Sequence, residues 1–170
     1  MTIARRSRHA KTLGALLCLA WLPAMADIPT IVMTHGNDRH ESTIGTSCWK
    51  DPDDAHDMCD DHFGVVTSST PIAIRRNDTV TFEIPLRDHL EEMLFSITRV
   101  TRKDIRQDDV DKEFPQFITW KKETRPRKMT RSQLQSIVIN QPPGDYILEL
   151  YGWWKDYGDA SHGFYLRVTN

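Results

Sequence analysis

The sequence lacks the motifs that mark the common enzyme classes and the long apolar runs that mark membrane-spanning helices. It contains no G-x-S-x-G, no H-E-x-x-H and no glycine-rich phosphate loop. No segment reaches the length of about 18 apolar residues that a membrane-spanning helix needs. Cysteine is scarce, with 3 residues in 170. These absences argue against an enzyme with a recognisable catalytic motif and favour a binding protein.

The N-terminus has the three-part pattern of a secretory signal peptide. Basic residues precede the short apolar segment TLGALLCLAWLP, and an A-x-A pattern of small residues follows at Ala24–Ala26. The apolar segment is too short to serve as a membrane anchor. We predict that residues 1–26 are removed, that residues 27–170 form a single domain, and that the mature protein is secreted or periplasmic.

Removal of the signal peptide would leave two of the three cysteines, Cys48 and Cys59, because Cys18 lies in the removed segment. An even pair in an oxidising compartment is normally a disulfide. Closing a loop of this length contributes roughly 3 kcal/mol on the chain-entropy model. The redox motif C-x-x-C has a much shorter spacing. We therefore predict a structural disulfide between Cys48 and Cys59.

Net charge argues against one large class of partner. The whole chain has 24 acidic and 22 basic residues, and the mature part keeps all the acidic residues but only 18 basic ones, so its formal charge is −6. General nucleic-acid binding needs a basic surface, so we expect no nucleic-acid partner. Residues 99–131 are locally basic, with eleven Lys/Arg against six Asp/Glu. We expect a solvated face there, and the alternative is a docking site for an acidic partner.

Short segments with alternating apolar and polar residues recur through the mature chain. In PIAIRRNDTVTFEIP, apolar side chains take every second position on either side of a turn at Asn77 and Asp78. In QSIVINQPPGDYILELYGWW, the side chains of Tyr146, Leu148 and Leu150 share one face, and HGFYLRVTN closes the chain in the same way. Such alternation is typical of half-buried strands. About eight such segments predict an all-β antiparallel sandwich.

The segment IVINQPPGDYILEL, followed by GFYLRV, resembles the last three strands of immunoglobulin-like sandwich domains. In those domains a tyrosine after a turn glycine forms a corner, and its hydroxyl bonds back to the backbone; Tyr146 holds that position. The resemblance covers the C-terminal part of the chain. It implies an immunoglobulin-like antiparallel β-sandwich of a secreted bacterial protein, here with one local disulfide.

A second segment, IAIRRNDTVTFEI, is similar to the early hairpin of cupredoxins, which are small secreted copper proteins. Their copper site needs a cysteine, histidine and methionine on a late loop. No cysteine follows Cys59 in this chain. The sequence therefore has no blue-copper site.

The segment around the cysteine pair is rich in histidine and aspartate. Imidazole and carboxylate together suit zinc or copper, and clustered carboxylates suit calcium. The spacing matches no zinc module and lacks the glycine of a calcium loop. We expect a solvated acidic loop without a cofactor. The alternative is a metal site, with ligands drawn from His56, His62, Asp51, Asp53 and Asp57.

Aromatic residues flank the last hairpin, YGWWKDYGDASHGFY. One hypothesis places Trp153 between the sheets and leaves Trp154 near the edge of the loop. Exposed rings beside aspartate and histidine are typical of a sugar-binding or peptide-binding face. The other hypothesis, which we favour, is that both tryptophans are core residues or cover an edge strand, because aromatic side chains are usually buried. The predicted ligand-binding residues are Tyr151, Trp154, Tyr157, Asp159 and His162.

These observations favour a non-catalytic binding module that recognises a protein, a peptide or a cell-envelope polymer. An alternative of another class is a metal-binding protein or metal-assisted hydrolase centred on the acidic cysteine loop. An inhibitor of a secreted enzyme is a third hypothesis, and it is a binding module with a defined class of partner. Nothing in the spacing of the acidic residues selects a catalytic pair.

Overall fold

The computed structural model describes residues 28–50, 57–62, 64–101, 104–108, 116–119 and 125–170. The regular structure of these residues consists of strands and one short 3₁₀ turn, Arg87–His89. In chain order the strands are β1 (Val32–His35), β2 (Asp38–Glu41), β3 (Thr43–Lys50), β4 (Asp57–Asp60), β5 (Val65–Thr67), β6 (Ile72–Arg75), β7 (Thr79–Glu83), β8 (Leu90–Val100), β9 (Ile105–Asp108), β10 (Gln116–Thr119), β11 (Arg127–Lys128), β12 (Ser136–Val138), β13 (Gly144–Trp154) and β14 (Gly158–Thr169).

Two larger sheets pack face to face, and a third, smaller sheet lies against the outer side of one of them. Sheet A has the order β12-β7-β1-β2, and sheet B has the order β11-β8-β13-β14-β3-β4, with β6 also beside β14. Sheet C has the order β5-β10-β9. Among the described residues every pairing is antiparallel except that of β6 with β14. The predicted all-β antiparallel sandwich is confirmed.

The main core lies between sheets A and B. The alternation in the sequence produces it, because every second side chain of a strand points to the same face. The long strands β13 and β14 contribute most of the sheet B side, and β1, β7 and β12 contribute the sheet A side. The largest fully buried side chains include Trp49, Trp154, Phe164, Met33 and Leu148.

Strands β13 and β14 are buried on both faces, because sheet C covers part of the outer side of sheet B. The outward side chains of Ile147 and Tyr165 form a second buried cluster with residues of β5 and β8. A side chain at Gly163 would lie 2.0 Å from the carbonyl oxygen of Val66. Glycine at this position therefore allows β5 to approach β14 closely.

The segment around Asn77 and Asp78 turns as predicted, but its two arms belong to different sheets. Asn77 has a φ of 71°, and the amide of Asp78 donates to the carbonyl oxygen of Arg75 over 3.0 Å. Strand β6 pairs with β14 in sheet B, and β7 pairs with β1 and β12 in sheet A. The pairing of β6 with β7 that the likeness to a cupredoxin hairpin implies is wrong. Alternation indicates that each arm has one buried face, and both arms bury it against the same core from opposite sides.

Two local predictions are confirmed. The hydroxyl of Tyr146 donates to the carbonyl oxygen of Pro142 over 2.7 Å, which is the predicted corner, and the side chain is 4% exposed. Cys48 of β3 and Cys59 of β4 are direct cross-strand partners and form a disulfide, with their Cα atoms 4.0 Å apart. The bridge attaches the edge strand β4 to sheet B.

We expect the substitution Tyr146→Phe to lower the free energy of unfolding by about 1 kcal/mol, because the Pro142 carbonyl oxygen loses its donor. The measurement is urea unfolding followed by tryptophan fluorescence. Tyr157→Phe is the matched control, since the Tyr157 hydroxyl has no hydrogen bond in the described part of the chain; its effect should stay below about 0.5 kcal/mol. Equal effects of the two substitutions would contradict the corner's stabilising role.

Candidate functional site

The outer face of sheet B carries a transverse row of four side chains on the half that sheet C leaves uncovered in the described structure. The register places Trp153 of β13 between Glu92 of β8 and Asp159 of β14. Asp159 in turn lies opposite Cys48 of β3. Directly opposed residues project to the same face of a sheet. We call Glu92, Trp153, Asp159 and Cys48 the tryptophan row, and its indole is 50% exposed.

Tyr151 fixes the carboxylate of the tryptophan row. Its hydroxyl donates to Asp159 Oδ2 over 2.5 Å. Partial burial, followed by the hydrogen bond and the negative charge of Asp159, raises the pKa of Tyr151 to about 12. The tyrosine therefore stays protonated at neutral pH and acts as a donor. Asp159 Oδ1 has no hydrogen-bond partner among the described residues, and the Asp159 side chain projects to the same face as the indole.

The other side of Trp153 is also flanked by an anchored carboxylate. Lys128 Nζ lies 3.0 Å from Glu92 Oε1, so this carboxylate is paired across β8 and β11. A flat exposed ring between two carboxylates offers an apolar contact area with hydrogen-bond acceptors at its rim. Such an arrangement can bind a ring or a cationic side chain. These are the groups that surfaces of binding proteins commonly present.

The five residues predicted to bind a ligand do not lie together. Tyr151 and Asp159 are hydrogen-bonded on the outer face of sheet B, so these two form part of one site. Trp154 is 1% exposed and His162 is 0% exposed, and both belong to the inner face of the same hairpin. Tyr157 lies in the turn between β13 and β14 and stacks on a buried tryptophan of β3, with ring centroids 5.6 Å apart.

The expected places of the two tryptophans are reversed, and this corrects the prediction for Trp154. Strand β13 continues to Trp154, so the alternation that buries Leu148 and Leu150 also turns Gly152 and Trp154 inward. A side chain at Gly152 would lie 2.3 Å from the Trp154 ring. The small residue therefore makes room for the indole, whose Nε1 donates to the carbonyl oxygen of Pro85 over 3.0 Å. Trp153 takes the exposed position that was predicted for Trp154.

The prediction of an accessible His162 is also wrong. Its Nδ1 shares a 2.9 Å hydrogen bond with Ser42 Oγ, which also accepts the amide of Ile31 over 3.0 Å. Its ring packs edge-on against Trp154, with centroids 5.9 Å apart. Burial lowers the pKa of His162 to about 4, because the charged imidazolium would lose its hydration. His162 is therefore a neutral core residue.

The predicted metal ligands lie largely outside the described residues. This holds for Asp51, Asp53 and His56, and of Asp57 only the backbone is described. The imidazole of His62 lies 3.1 Å from the carboxylate of Asp60 through Nε2. Among the described residues there is no group of three or more His, Cys, Asp or Glu side chains that could hold a metal ion. The metal site stays a prediction.

A second histidine–carboxylate pair joins two turns of the sandwich. His35 Nε2 lies 2.8 Å from Asp78 Oδ2, which also accepts the amide of Arg75 over 3.2 Å. The hydrogen bond from His35 lowers the pKa of Asp78 below its usual value. The pair connects the turn after β1 to the turn between β6 and β7. Among the described residues, the partner of the His35 imidazole is this carboxylate.

Comparison with protein-family models, with curated proteins and with solved structures finds no significant match for this chain. Among the described residues, no helix has the length and hydropathy needed to cross a bilayer.

The buried His162 predicts a loss of stability in mild acid. With a pKa of about 6.5 in the unfolded chain and about 4 in the folded one, its contribution is complete above pH 6.5 and is lost as pH falls toward 4. The unfolded chain takes up the proton in that window and the folded chain does not, so the free energy of unfolding should fall by about 2 kcal/mol from pH 7 to pH 5.

The measurement is urea unfolding at both pH values for the natural chain and for His162→Gln. The variant keeps a hydrogen-bonding group near Ser42 but cannot titrate. Between pH 7 and pH 5, the free energy of unfolding of the variant should fall by about 2 kcal/mol less than that of the natural chain. This difference is expected whatever the stability of the variant at pH 7. A pH dependence identical in the two proteins would show that His162 is not the titrating group.

Proposed function

We propose that this protein is an exported, non-catalytic binding module of immunoglobulin-like architecture, and that it recognises its partner through the tryptophan row and Tyr151. The observation that carries the proposal is the half-exposed indole of Trp153 between the carboxylates of Glu92 and Asp159. The partner classes are a protein, a peptide or a cell-envelope polymer.

The energetics of Trp153 support a role in recognition. Tryptophan is among the residues that contribute most to binding interfaces, because it buries a large area with few rotatable bonds. Half of its side chain remains exposed to water in the free protein. The free energy gained by removing water from the exposed part of this ring is available only in a complex. A large exposed tryptophan without a partner would otherwise weaken solubility without stabilising the fold.

The surroundings of Trp153 are already ordered, and this also supports recognition. The Tyr151 hydroxyl holds Asp159 on one side, and Lys128 pairs with Glu92 on the other. The row ends at Cys48, whose disulfide attaches the neighbouring strand. Groups held in place before binding lose less conformational entropy when the partner arrives. The row is thus a preorganised surface on central strands of sheet B.

Two features support export. The N-terminal 26 residues have the charge and apolar pattern of a signal peptide. The bridged Cys48 and Cys59 are the only cysteines of the mature chain, and such a bridge is stable in an oxidising compartment. We therefore propose that the mature protein is periplasmic or secreted.

We expect Trp153→Ala to weaken partner binding by about 30-fold, as for an interface residue contributing about 2 kcal/mol. The mature protein is immobilised, incubated with envelope extract or culture fluid, and the bound proteins and sugars are identified by mass spectrometry. The affinity of the captured species is then measured for each variant. The melting temperature should not change, because the ring lies outside the core.

Met58→Ala is the matched control, since Met58 is 44% exposed but opposes the inward-facing Trp49. This control should bind as the natural chain does. Asp159→Asn should weaken binding while retaining a group that can bond to Tyr151. Equal capture by the Trp153→Ala variant and the natural chain would remove the proposed binding face.

A further inference from the structure

A groove runs along one open side of the sandwich, between β8 and β11 of sheet B and β12 of sheet A. Its volume is ≈ 450 Å³. Phe95 and Ile97 of β8 form part of its floor, where they pack against the main core. Polar side chains line the walls. This groove lies between the sheets and shares no residue with the tryptophan row.

One wall of the groove is cationic. Arg127 lies opposite Phe95 in the register, so it projects to the inner side of sheet B and toward the groove. Arg125 precedes it on the same wall, and both side chains are exposed. In the described part of the chain neither guanidinium has a carboxylate partner. Two unpaired arginines on a chain with an acidic net charge favour a carboxylate-bearing ligand.

The opposite wall offers a strand edge that is open at Val138 among the described residues. Strand β12 is the outermost strand of sheet A. The amide of Ile139 donates to the carbonyl oxygen of Asp78 over 2.9 Å, and the carbonyl oxygen of Gln135 accepts from Phe82 over 2.9 Å, so these residues bond toward β7. Backbone groups alternate in direction along a strand. The N–H and C=O of Val138 therefore point away from β7, and its side chain is 55% exposed.

A buried acceptor in the groove also lacks a donor. Gln141 Oε1 has no hydrogen-bond partner within the described structure although the atom is buried. Buried acceptors are normally paired. A ligand with N–H groups would supply the missing donor.

We propose that this groove binds an extended acidic peptide segment of another protein, which adds a strand to the free edge of β12 and places its carboxylates against Arg125 and Arg127. The backbone edge decides between classes of partner, because a polypeptide carries alternating N–H and C=O groups at strand spacing and a polysaccharide does not. The bound segment would close the open side of the sandwich and cover the exposed edge.

The test uses a fluorescein-labelled peptide of alternating glutamate and valine, with fluorescence anisotropy as the readout. We expect saturable binding that weakens as salt increases, since the contacts are ionic. A peptide of alternating lysine and valine should not bind. The glutamate peptide with methyl groups on alternate backbone nitrogens should bind about tenfold more weakly, because it cannot complete the strand pairing.

The double variant Arg125→Glu with Arg127→Glu should bind the glutamate peptide at least about tenfold more weakly. Arg87→Glu is the matched control, because Arg87 is exposed and does not line the groove. Each variant's melting temperature is measured to confirm folding. Trp153→Ala should bind this peptide normally, so the groove and the tryptophan row are tested independently.

Three results would overturn the proposal. Absence of saturable peptide binding would remove the site. Equal binding of the N-methylated peptide would remove strand addition to β12. Binding of an oligogalacturonate as tightly as the peptide, with the same loss in the double variant, would assign the groove to acidic polysaccharide instead.

Discussion

The fold depends on the hairpin of β13 and β14, which is buried on both faces over part of its length. Its two strands pair in unbroken register from Gly144 with Val168 to Trp154 with Gly158. Sheet A covers its inner face, and sheet C covers part of its outer face. Burial on two sides removes more apolar surface from water than an ordinary sandwich strand can. The remaining strands of sheet B, and the disulfide at its edge, are arranged around this pair.

The tryptophan row is exposed because sheet C covers only part of the outer face of sheet B. Sheet C lies over Ile147 and Tyr165, and the same outer face continues to Tyr151 and Trp153 beyond it. Alternation requires that if Trp154 fills the core, Trp153 projects outward. The Trp153 indole is thus exposed because the adjacent Trp154 fills the core. The hydrogen bond from Tyr151 to Asp159 then orders the surface beside it.

Local physics explains what the sequence could predict. Period-two alternation identified the strands, the resemblance to immunoglobulin-like domains implied the corner at Tyr146, and the cysteine count identified the bridge. Partners across strands were not predictable, because alternation gives a strand its buried face but not its neighbour. For this reason the separation of β6 and β7 and the cover by sheet C were missed. Glu92 was missed as a site residue for the same reason.

The misplacement of Trp154 has a different cause, because the information was present. Counting every second residue from Tyr146 reaches Gly152 and then Trp154, and the glycine leaves space for the ring. The burial of His162 would follow from the same counting, since it lies two residues before Phe164, which faces the core. Strand β13 extends to Trp154 and β14 begins at Gly158, so both residues lie in strands and not in a loop. Polar or aromatic residues near a turn remain core residues when the strand continues.

Amide hydrogen exchange tests the central claim most directly. If the hairpin buried on both faces is the most stable element, the amides of Ile147–Leu150 and Phe164–Leu166 should exchange only through global unfolding and be the slowest in the chain. Strands covered on one face, such as β7, should exchange by smaller openings. Exchange of the β13 and β14 amides as fast as those of β7 would contradict this account.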